Sequence, residues 1–442
     1  MGSPVNPSLG VKVLSGAADL DFALPGAMPL VWQRQYSSYV NAEHGGYCGV
    51  LGYGWSMPLE LRLTVRDDTV LLHDTQGRII TFEALAPGEH LYSPSEDLWL
   101  LRGAGPGAAT AQPAALPDWH EGRFGYIAPA LAGNAYLIFA SNGTGDIVWV
   151  FGPSNWQAMD AARKDAKPVP EPRADWVLFG KLDRLGRAQR YRWEEILGQP
   201  RITGIEDGVG RHYHLHYART HAARDARHCP SGYRWQADSG VRLAGVDLVF
   251  DPIHPRSGQD GAQPIALVRY RYSGEGDLIA VHDRHGEPVR RFGWRNHLMV
   301  LHQERTGPEH RYRYDRDEPG GRVIEQRNEQ GLDYRFTYTE LPGVQEQPRK
   351  ACEVADSLGR SETYVFQGEA GLARLVEHRR ADGSTLRRSY NAYGQLTLVA
   401  DPLGRTTQLQ ISPAGQLLGS QGPDGSTSRQ RYDDATGLLQ RR

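Results

Sequence analysis

Polar and apolar residues alternate one by one in several short stretches of the C-terminal half of the chain. Residues 212–217 read His-Tyr-His-Leu-His-Tyr, and the pattern Arg-Tyr-Arg-Tyr occurs at residues 269–272 and again at 311–314. Successive side chains of a β-strand point to opposite faces, so this alternation is typical of a strand with one buried and one solvated face. The pattern therefore predicts an antiparallel sheet that buries tyrosine and leucine on one side.

Glycine-centred turns separate these strands at regular spacing. Tyr390, Ile411 and Tyr432 stand 21 residues apart, and a turn glycine follows about every ten residues. Glycine accepts the positive φ of a tight turn, and Asp or Pro before it favours the bend. One short strand and one turn per half-unit predict a stacked array of hairpins. The turn glycines singled out as structural residues are Gly276, Gly286, Gly359, Gly394, Gly404, Gly415 and Gly425.

One segment has the composition of a helix. Residues 156–167 are rich in alanine and are followed by Pro168, Pro170 and Pro172, which would end a helix. We therefore predict an all-β fold with few or no helices, built as an extended antiparallel sheet of hairpins. Its predicted parts are an N-terminal β-domain (1–155), a helix and Pro-rich connector (156–179) and a repeat sheet (180–442). Three segments rich in glycine, proline or polar residues predict loops: 103–117, 252–264 and 341–350.

Length and charge narrow the class of protein. A single core rarely grows beyond about 250–300 residues, so 442 residues with 51 glycines favour a repetitive sheet or several domains. The formal net charge of −2 gives no overall attraction to nucleic acid or to an anionic membrane. The sequence contains no run of eighteen apolar residues, so no membrane-spanning helix is predicted. The residues before Pro4 do not have the pattern of a signal peptide. We expect the chain to start in the cytoplasm.

The histidines of residues 212–217 are the first candidates for chemistry. His212, His214 and His216 would share one strand face, which is an arrangement that can bind a metal ion. We favour a plain polar strand face opposite Tyr213 and Leu215, because no fourth ligand is evident. Three widely spaced cysteines lack the spacing of a metal site or a disulfide framework and are expected to be reduced, partly buried thiols: Cys48, Cys229 and Cys352. We expect neither a metal nor a cofactor.

The Arg-Tyr stretches could stack single-stranded nucleic acid. Acidic neighbours interrupt any continuous positive field, so half-buried strands are the better interpretation: Glu304, Glu309, Asp315 and Asp317. Most carboxylates lie in turns, where they would bond the turn backbone: Asp283, Asp356, Asp382, Asp401 and Asp424. No nucleophile elbow, P-loop or His-Glu-x-x-His motif occurs. An enzyme site assembled from several strands stays open, because its residues would meet only in space.

Two signals together resemble the Rhs/YD-repeat family of polymorphic toxins. The first is the repeated order of Tyr-Asp (314–315, 432–433), Gly-Arg-Val or Gly-Gln-Leu (321–323, 394–396, 415–417) and Asp-x-x-Gly-Arg (356–360, 401–405) in the C-terminal half. The second is the N-terminal series Pro-Val-Asn-Pro at 4–7, Asp-Leu-Asp-Phe at 19–22 and Leu-Gly-Tyr-Gly-Trp at 51–55. The resemblance covers nearly the whole chain.

The resemblance implies a strip of sheet that spirals into part of a hollow β-cocoon. In the family this shell holds a toxic C-terminal domain, and in many bacteria type VI secretion delivers it. The implied role is a non-catalytic scaffold that is secreted without a signal peptide. The implied partners are the remainder of the shell, its toxin domain, and spike components or a chaperone, with no nucleic acid. The family's C-terminal self-cleavage motif is absent from this sequence, and a possible N-terminal processing region is Pro4, Val5, Asn6 and Pro7.

A cell-surface or carbohydrate-binding adhesion module is the alternative, because YD repeats also occur in adhesive and wall-associated proteins. Exposed tryptophans could stack on sugars, and the candidates are Trp99, Trp119, Trp149 and Trp156. Core packing of the N-terminal β-domain would explain the same residues. The missing secretion signal favours the shell.

Overall fold

A computed structural model describes residues 5–40, 48–75, 77–105, 116–143, 145–223, 237–254, 263–344, 347–369, 372–433 and 437–441. Antiparallel strands dominate these ranges, and the helices that lie wholly within them are short. They are two 3₁₀ helices, Ala17–Asp19 and Asp118–His120, and two α-helices, α1 Pro129–Ala132 and α2 Trp156–Lys164. The predicted all-β antiparallel fold with few helices is confirmed.

The first strands form small sheets of their own. Their bounds are β1 Val5–Asn6, β2 Val11–Leu14, β3 Leu20–Ala23, β4 Val31–Gln33, β5 Gln35–Ser37, β6 Cys48–Gly49, β7 Gly52–Tyr53 and β8 Trp55–Ser56. Strands β1, β2, β5 and β8 make a four-stranded antiparallel sheet, whereas β3 pairs with β4 and β6 pairs with β7. We call residues 5–40 and 48–60 the N-terminal segment.

All later strands up to β35 belong to one large sheet. It begins with β9 Arg62–Val65, β10 Thr69–His73, β11 Ile79–Glu83, β12 His90–Ser93, β13 Leu98–Arg102, β14 Ile138–Asn142, β15 Ile147–Pro153, β16 Asp175–Asp183, β17 Ala188–Ile196, β18 Gln199–Glu206 and β19 His212–Arg219. It continues with β20 Val241–Phe250, β21 Ile265–Tyr272, β22 Leu278–His282, β23 Pro288–Arg295, β24 Leu298–Glu304, β25 His310–Tyr314, β26 Val323–Asn328, β27 Asp333–Val344 and β28 Gln347–Asp356. The last strands are β29 Ser361–Gln367, β30 Arg374–Arg379, β31 Thr385–Tyr390, β32 Leu396–Ala400, β33 Thr406–Ile411, β34 Leu417–Gln421 and β35 Thr427–Arg429, and a separate hairpin follows, β36 Arg431–Tyr432 with β37 Leu439–Arg441.

From β12 to β35 each strand pairs antiparallel with the next strand in sequence. The hairpin β9–β10 joins this meander where β9 pairs with the first residues of β16. Among the described residues no strand register joins β35 to β9. The sheet is therefore an open strip rather than a closed barrel.

In a meander the turns alternate between two long edges of the strip. The turns after β16, β18, β22, β28 and β32 share one edge, which we call the first edge, and each has Asp at its start and Gly at its fourth position. At residues 401–405, the Asp401 carboxylate accepts hydrogen bonds from the backbone N–H groups of Leu403 and Arg405, both at 2.9 Å. Gly404 has a φ of 79°, a backbone conformation that would be strained for any residue with a Cβ atom. The repeat motif thus encodes a rigid turn.

The strip curves far enough to meet its own beginning. The Tyr92 hydroxyl at the end of β12 lies 2.9 Å from the carbonyl oxygen of Ala414 in the β33–β34 turn and shares its proton between that oxygen and the Asp97 carboxylate at 2.7 Å. The Gln395 amide in the β31–β32 turn donates to the carbonyl of Pro94 at 3.3 Å. The turn after β12 lies on the first edge, whereas the turns after β31 and β33 lie on the opposite, second edge. The strip therefore completes a full circuit as a spiral, with one layer stacked on the next.

Several predicted boundaries need correction. Helix α2 begins at Trp156 as predicted but ends at Lys164, three residues before the predicted end at residue 167. The predicted loop at 341–350 is wrong, because β27 and β28 extend through most of it and a bulge between Leu341 and Val344 absorbs the intervening Pro-Gly. Most of the other two predicted loops lies outside the described residues. The domain limits stay a prediction. Strands β15 and β16 pair with each other, so the sheet continues across the proposed connector.

Among the described residues no helix is long and apolar enough to cross a membrane.

Candidate functional site: the N-terminal segment on the sheet

The N-terminal segment packs on one face of the strip, which we call the inner face. Its backbone bonds the sheet directly: Val323 N–H donates to the Gly10 carbonyl at 2.7 Å, and Leu243 N–H donates to the Val50 carbonyl at 2.8 Å. Apolar side chains from both partners share one buried cluster, which includes Trp32, Tyr36, Trp55, Tyr213 and Phe292. The segment and the sheet therefore share one hydrophobic core.

The Gly-Tyr-Gly-Trp motif docks through close backbone approach. A Cβ atom on Gly52 would lie 2.7 Å from the carbonyl oxygen of Gly276, so only glycine allows this contact. The Tyr53 hydroxyl donates to the Asp238 carboxylate at 2.7 Å, and Arg242 donates to the same carboxylate at 2.8 Å. Burial alone would raise the pKa of Asp238, but the hydrogen bond and charge of Arg242 outweigh it and hold that pKa well below its usual range.

A buried ionic network joins the segment to the sheet. Arg34 Nε lies 2.9 Å from Asp21, and both side chains are almost fully buried. From the sheet, Arg290 lies 2.9 Å from Asp19, and the Tyr270 hydroxyl donates to Asp21 at 2.6 Å. Burial raises the pKa of Asp21 in spite of Arg34. Because a buried charge without its partner is costly, this network ties the segment to one position.

Next to this network lie a buried lysine and two imidazoles. Lys12 is fully buried, and its Nζ stands 4.7 Å from the centroid of the Tyr312 ring. His302 and His310 stack with ring centroids 4.9 Å apart, and His302 Nδ1 lies 3.2 Å from the Tyr312 hydroxyl. Burial, with the nearby charge of Lys12, lowers the pKa of both imidazoles, and burial lowers the pKa of the Lys12 amine.

The candidates from the sequence lie elsewhere. His212, His214 and His216 share the more exposed face of β19, opposite buried Tyr213 and Leu215, as the plain-strand interpretation predicts. Within the described residues no group of three His, Cys, Asp or Glu side chains could hold a metal ion.

The Arg-Tyr stretches behave as half-buried strands. Tyr312 and Tyr314 are buried on the inner face, whereas Arg311 and Arg313 are exposed and Arg313 pairs with Glu325 at 3.0 Å. The alternating pattern therefore reflects strand burial, and both Arg311 and Arg313 form ion pairs with carboxylates.

The tryptophans proposed for sugar stacking are not exposed. Trp119 is buried and its indole N–H donates to the Arg102 carbonyl at 2.9 Å. Trp99 and Trp149 are half-buried against core clusters, and Trp156 packs edge-on against Phe179. Core packing explains Trp99, Trp119 and Trp149, and Trp156 is half-buried, so exposed tryptophans no longer favour a carbohydrate-binding module.

The structure also places the turn glycines, the predicted processing region and the cysteines that the sequence singled out. The turn glycines have φ between 74° and 83°: Gly276, Gly286, Gly359, Gly394, Gly404, Gly415 and Gly425.

Val5 is buried and pairs with Lys12, while Asn6 and Pro7 are half-buried; N-terminal processing stays a prediction. Pro4 and Cys229 lie outside the described residues. Cys48 and Cys352 are free, fully buried thiols rather than partly buried ones, and burial raises the pKa of each to about 12.

Comparison with known proteins finds a match to the N-terminal part of the chain and another to nearly the whole chain. Residues 2–82 match the family model described as a domain of unknown function, DUF6531. The toxin protein Tse5 of Pseudomonas aeruginosa is 36% identical over 446 aligned residues, which cover 99% of this chain. That relation spans the N-terminal motifs and the repeats together. The chain belongs to the Rhs/YD-repeat family.

A second relative of this Rhs chain is less similar to it than Tse5 is. The double-stranded DNA deaminase toxin A of Burkholderia cenocepacia is 26% identical over 352 residues, or 79% of the chain. The Rhs chain spans only 29% of the length of Tse5 and 19% of that second toxin. Crystal structures of TcdB2-TccC3 fusions align over 93% and 94% of the chain at 11% and 10% identity, with TM-scores of 0.29 and 0.31, too low to support an argument.

Proposed function

We propose that this Rhs chain is a wall segment of a shell that encloses a toxic domain, has no catalysis of its own, and is delivered by type VI secretion. The observation that carries the proposal is the meeting of the strip with its own start through the Tyr92 and Gln395 contacts. A flat sheet would leave both faces in solvent, whereas a spiral strip surrounds a space. The similarity to Tse5, a longer toxin protein, supports a wall that is part of a larger assembly.

The inner face supports an enclosed partner. Strand registers place Leu386, Val399 and Leu409 on the same face as Cys352, which packs against the N-terminal segment. These three side chains are only half-buried, whereas the neighbouring outer-face residues Arg387 and Gln408 are exposed. Apolar side chains without full cover inside a curved wall are a surface that a further polypeptide can bury.

The first edge supports continuation of the shell. Leu185, Leu358 and Leu403 occupy the same position in Asp-x-Leu-Gly-Arg turns and are 75%, 75% and 76% exposed. The turn after β12, on this same edge, is already covered by second-edge turns of the next layer. We infer that a further layer of repeat hairpins, from the remainder of the shell, covers these leucines.

Protease protection tests the enclosure. The full reading frame that encodes this chain is expressed, and tryptic digestion of its C-terminal domain is compared with that of the isolated domain. We expect the domain to survive at least about ten-fold longer inside the shell. The double variant Leu386→Arg/Leu409→Arg on the inner face should shorten that survival, whereas the matched outer-face variant Gln408→Arg should not. Equal digestion of enclosed and isolated domain would refute enclosure.

Delivery is tested separately. Secretion of the same full-length protein is compared in a host with an active type VI apparatus and in one whose apparatus is disabled. Loss of secretion in the disabled host supports the route, and equal secretion in both overturns it while leaving the shell proposal intact.

A further inference from the structure

Two imidazoles lie where the N-terminal segment meets the inner face. His302 on β24 is buried and His310 on β25 is half-buried, and both face Lys12 of β2. Tyr312 contacts both groups: its ring centroid lies 4.7 Å from Lys12 Nζ and 5.6 Å from the ring centroid of His302. Removing the N-terminal segment would therefore expose both imidazoles.

The charges around these imidazoles are already mostly positive. Lys12 and Arg290 face them from β2 and β23, and Glu304 faces them from β24 but is 56% exposed on its side chain. Beyond Arg290 lie the buried pairs of the ionic network, in which Asp19 and Asp21 balance Arg290 and Arg34. No buried carboxylate contacts His302 or His310 among the described residues. A proton on His302 would thus add charge that no buried carboxylate compensates, and the exposed Glu304 offsets a proton on His310 only in part, since the pKa of that ring stays lowered.

We propose that His302 and His310, with Lys12, form an acid-sensitive latch that holds the N-terminal segment on the inner face at neutral pH and releases it on acidification. The docked state requires neutral rings, because it buries them beside two cations. The released state exposes the rings to water, where they take up protons freely. A fall in pH therefore shifts the equilibrium between the docked and the released N-terminal segment toward the released state.

The direction follows from proton binding. Docking lowers the pKa of both imidazoles below their ordinary value, so the released state binds more protons once the pH falls below about 6.5. Stability of the docked state is full above that pH and is lost as the pH falls below it. At pH 5.0 each imidazole that stays neutral when docked favours release by about 30-fold relative to pH 7.5.

Amide hydrogen exchange tests the latch in the full 442-residue chain. Exchange of β2 and β5 is measured at pH 7.5 and pH 5.0, with labelling times scaled for intrinsic exchange, and β13 and β14 serve as an internal reference. We expect opening of β2 and β5 to increase at least about 30-fold at pH 5.0 while the reference strands keep their protection. Unchanged protection of β2 and β5 at pH 5.0 would overturn the latch.

Variants separate the latch from general acid sensitivity. His302→Asn/His310→Asn should reduce the pH-induced opening by at least about 30-fold, whereas the matched double variant His212→Asn/His214→Asn on the outer face should leave it unchanged. Should the first double variant fail to fold, His310→Asn alone should lower the response, because that ring is only half-buried. The same pH response in the latch variants and in the wild type would overturn the proposal. These outcomes do not depend on whether the shell encloses a toxin.

Discussion

Arg34→Met is expected to destabilise the fold by about 3–5 kcal/mol, because it leaves the buried carboxylate of Asp21 without its counter-charge. The guanidinium also lies over the rings of Trp55 and Phe292, at 5.1 and 5.6 Å from their centroids. Methionine keeps much of the side-chain volume and removes the charge. Thermal unfolding monitored by tryptophan fluorescence should show a large drop in Tm.

Two controls make that result specific. Arg34→Met/Asp21→Asn removes both charges and should recover part of the loss, since no unpaired carboxylate remains. Arg387→Met breaks a surface pair with Glu377 and should cost no more than about 1 kcal/mol. Equal Tm shifts for Arg34→Met and Arg387→Met would show that the buried network does not hold the segment.

Gly52→Ala is expected to cost clearly more than Gly186→Ala. Both glycines have positive φ, 97° and 74°, so both substitutions strain the backbone by roughly 1–3 kcal/mol. Only at Gly52 would the new Cβ meet a backbone atom, the Gly276 carbonyl oxygen at 2.7 Å, whereas nothing lies within 4 Å at Gly186. The difference between the two Tm shifts therefore measures the docking contact.

The outcome at Gly52 also has a local readout. If the motif is pushed off the sheet, the Tyr53 hydroxyl loses Asp238, and exchange of β7 and β8 should rise in Gly52→Ala only. Identical Tm shifts and identical exchange in the two variants would contradict the docked position of the motif.

The repeat sheet could be predicted because its signals are local. The Asp401 turn is held by hydrogen bonds within five residues, and the alternation at 212–217 needs only the neighbouring strands. The loop prediction at 341–350 failed because Pro-Gly there is absorbed by a bulge rather than ending the strands. Local composition cannot distinguish these two outcomes.

The docked N-terminal segment could not be predicted, because its contacts join residues far apart in sequence. The Gly10 carbonyl accepts a hydrogen bond from Val323, and Arg290 donates to Asp19, which is 271 residues away in the sequence. Lys12, between Val11 and Val13, has the sequence pattern of a solvated strand position, yet the large sheet covers its face. The sequence also contains no sign that His302 and His310 would lie together at this contact, because neither residue belongs to a recognisable motif.

Cross-linking of Pro94→Cys with Gln395→Cys is the most direct test of the spiral, on which the shell proposal rests. The Gln395 amide reaches the Pro94 carbonyl at 3.3 Å, and the described native cysteines, Cys48 and Cys352, are buried. Treatment of the folded chain with a short bis-maleimide should give an intramolecular cross-link in the double variant and none in either single variant. A double variant that cross-links no more than the single ones would contradict the return of the strip to its own start.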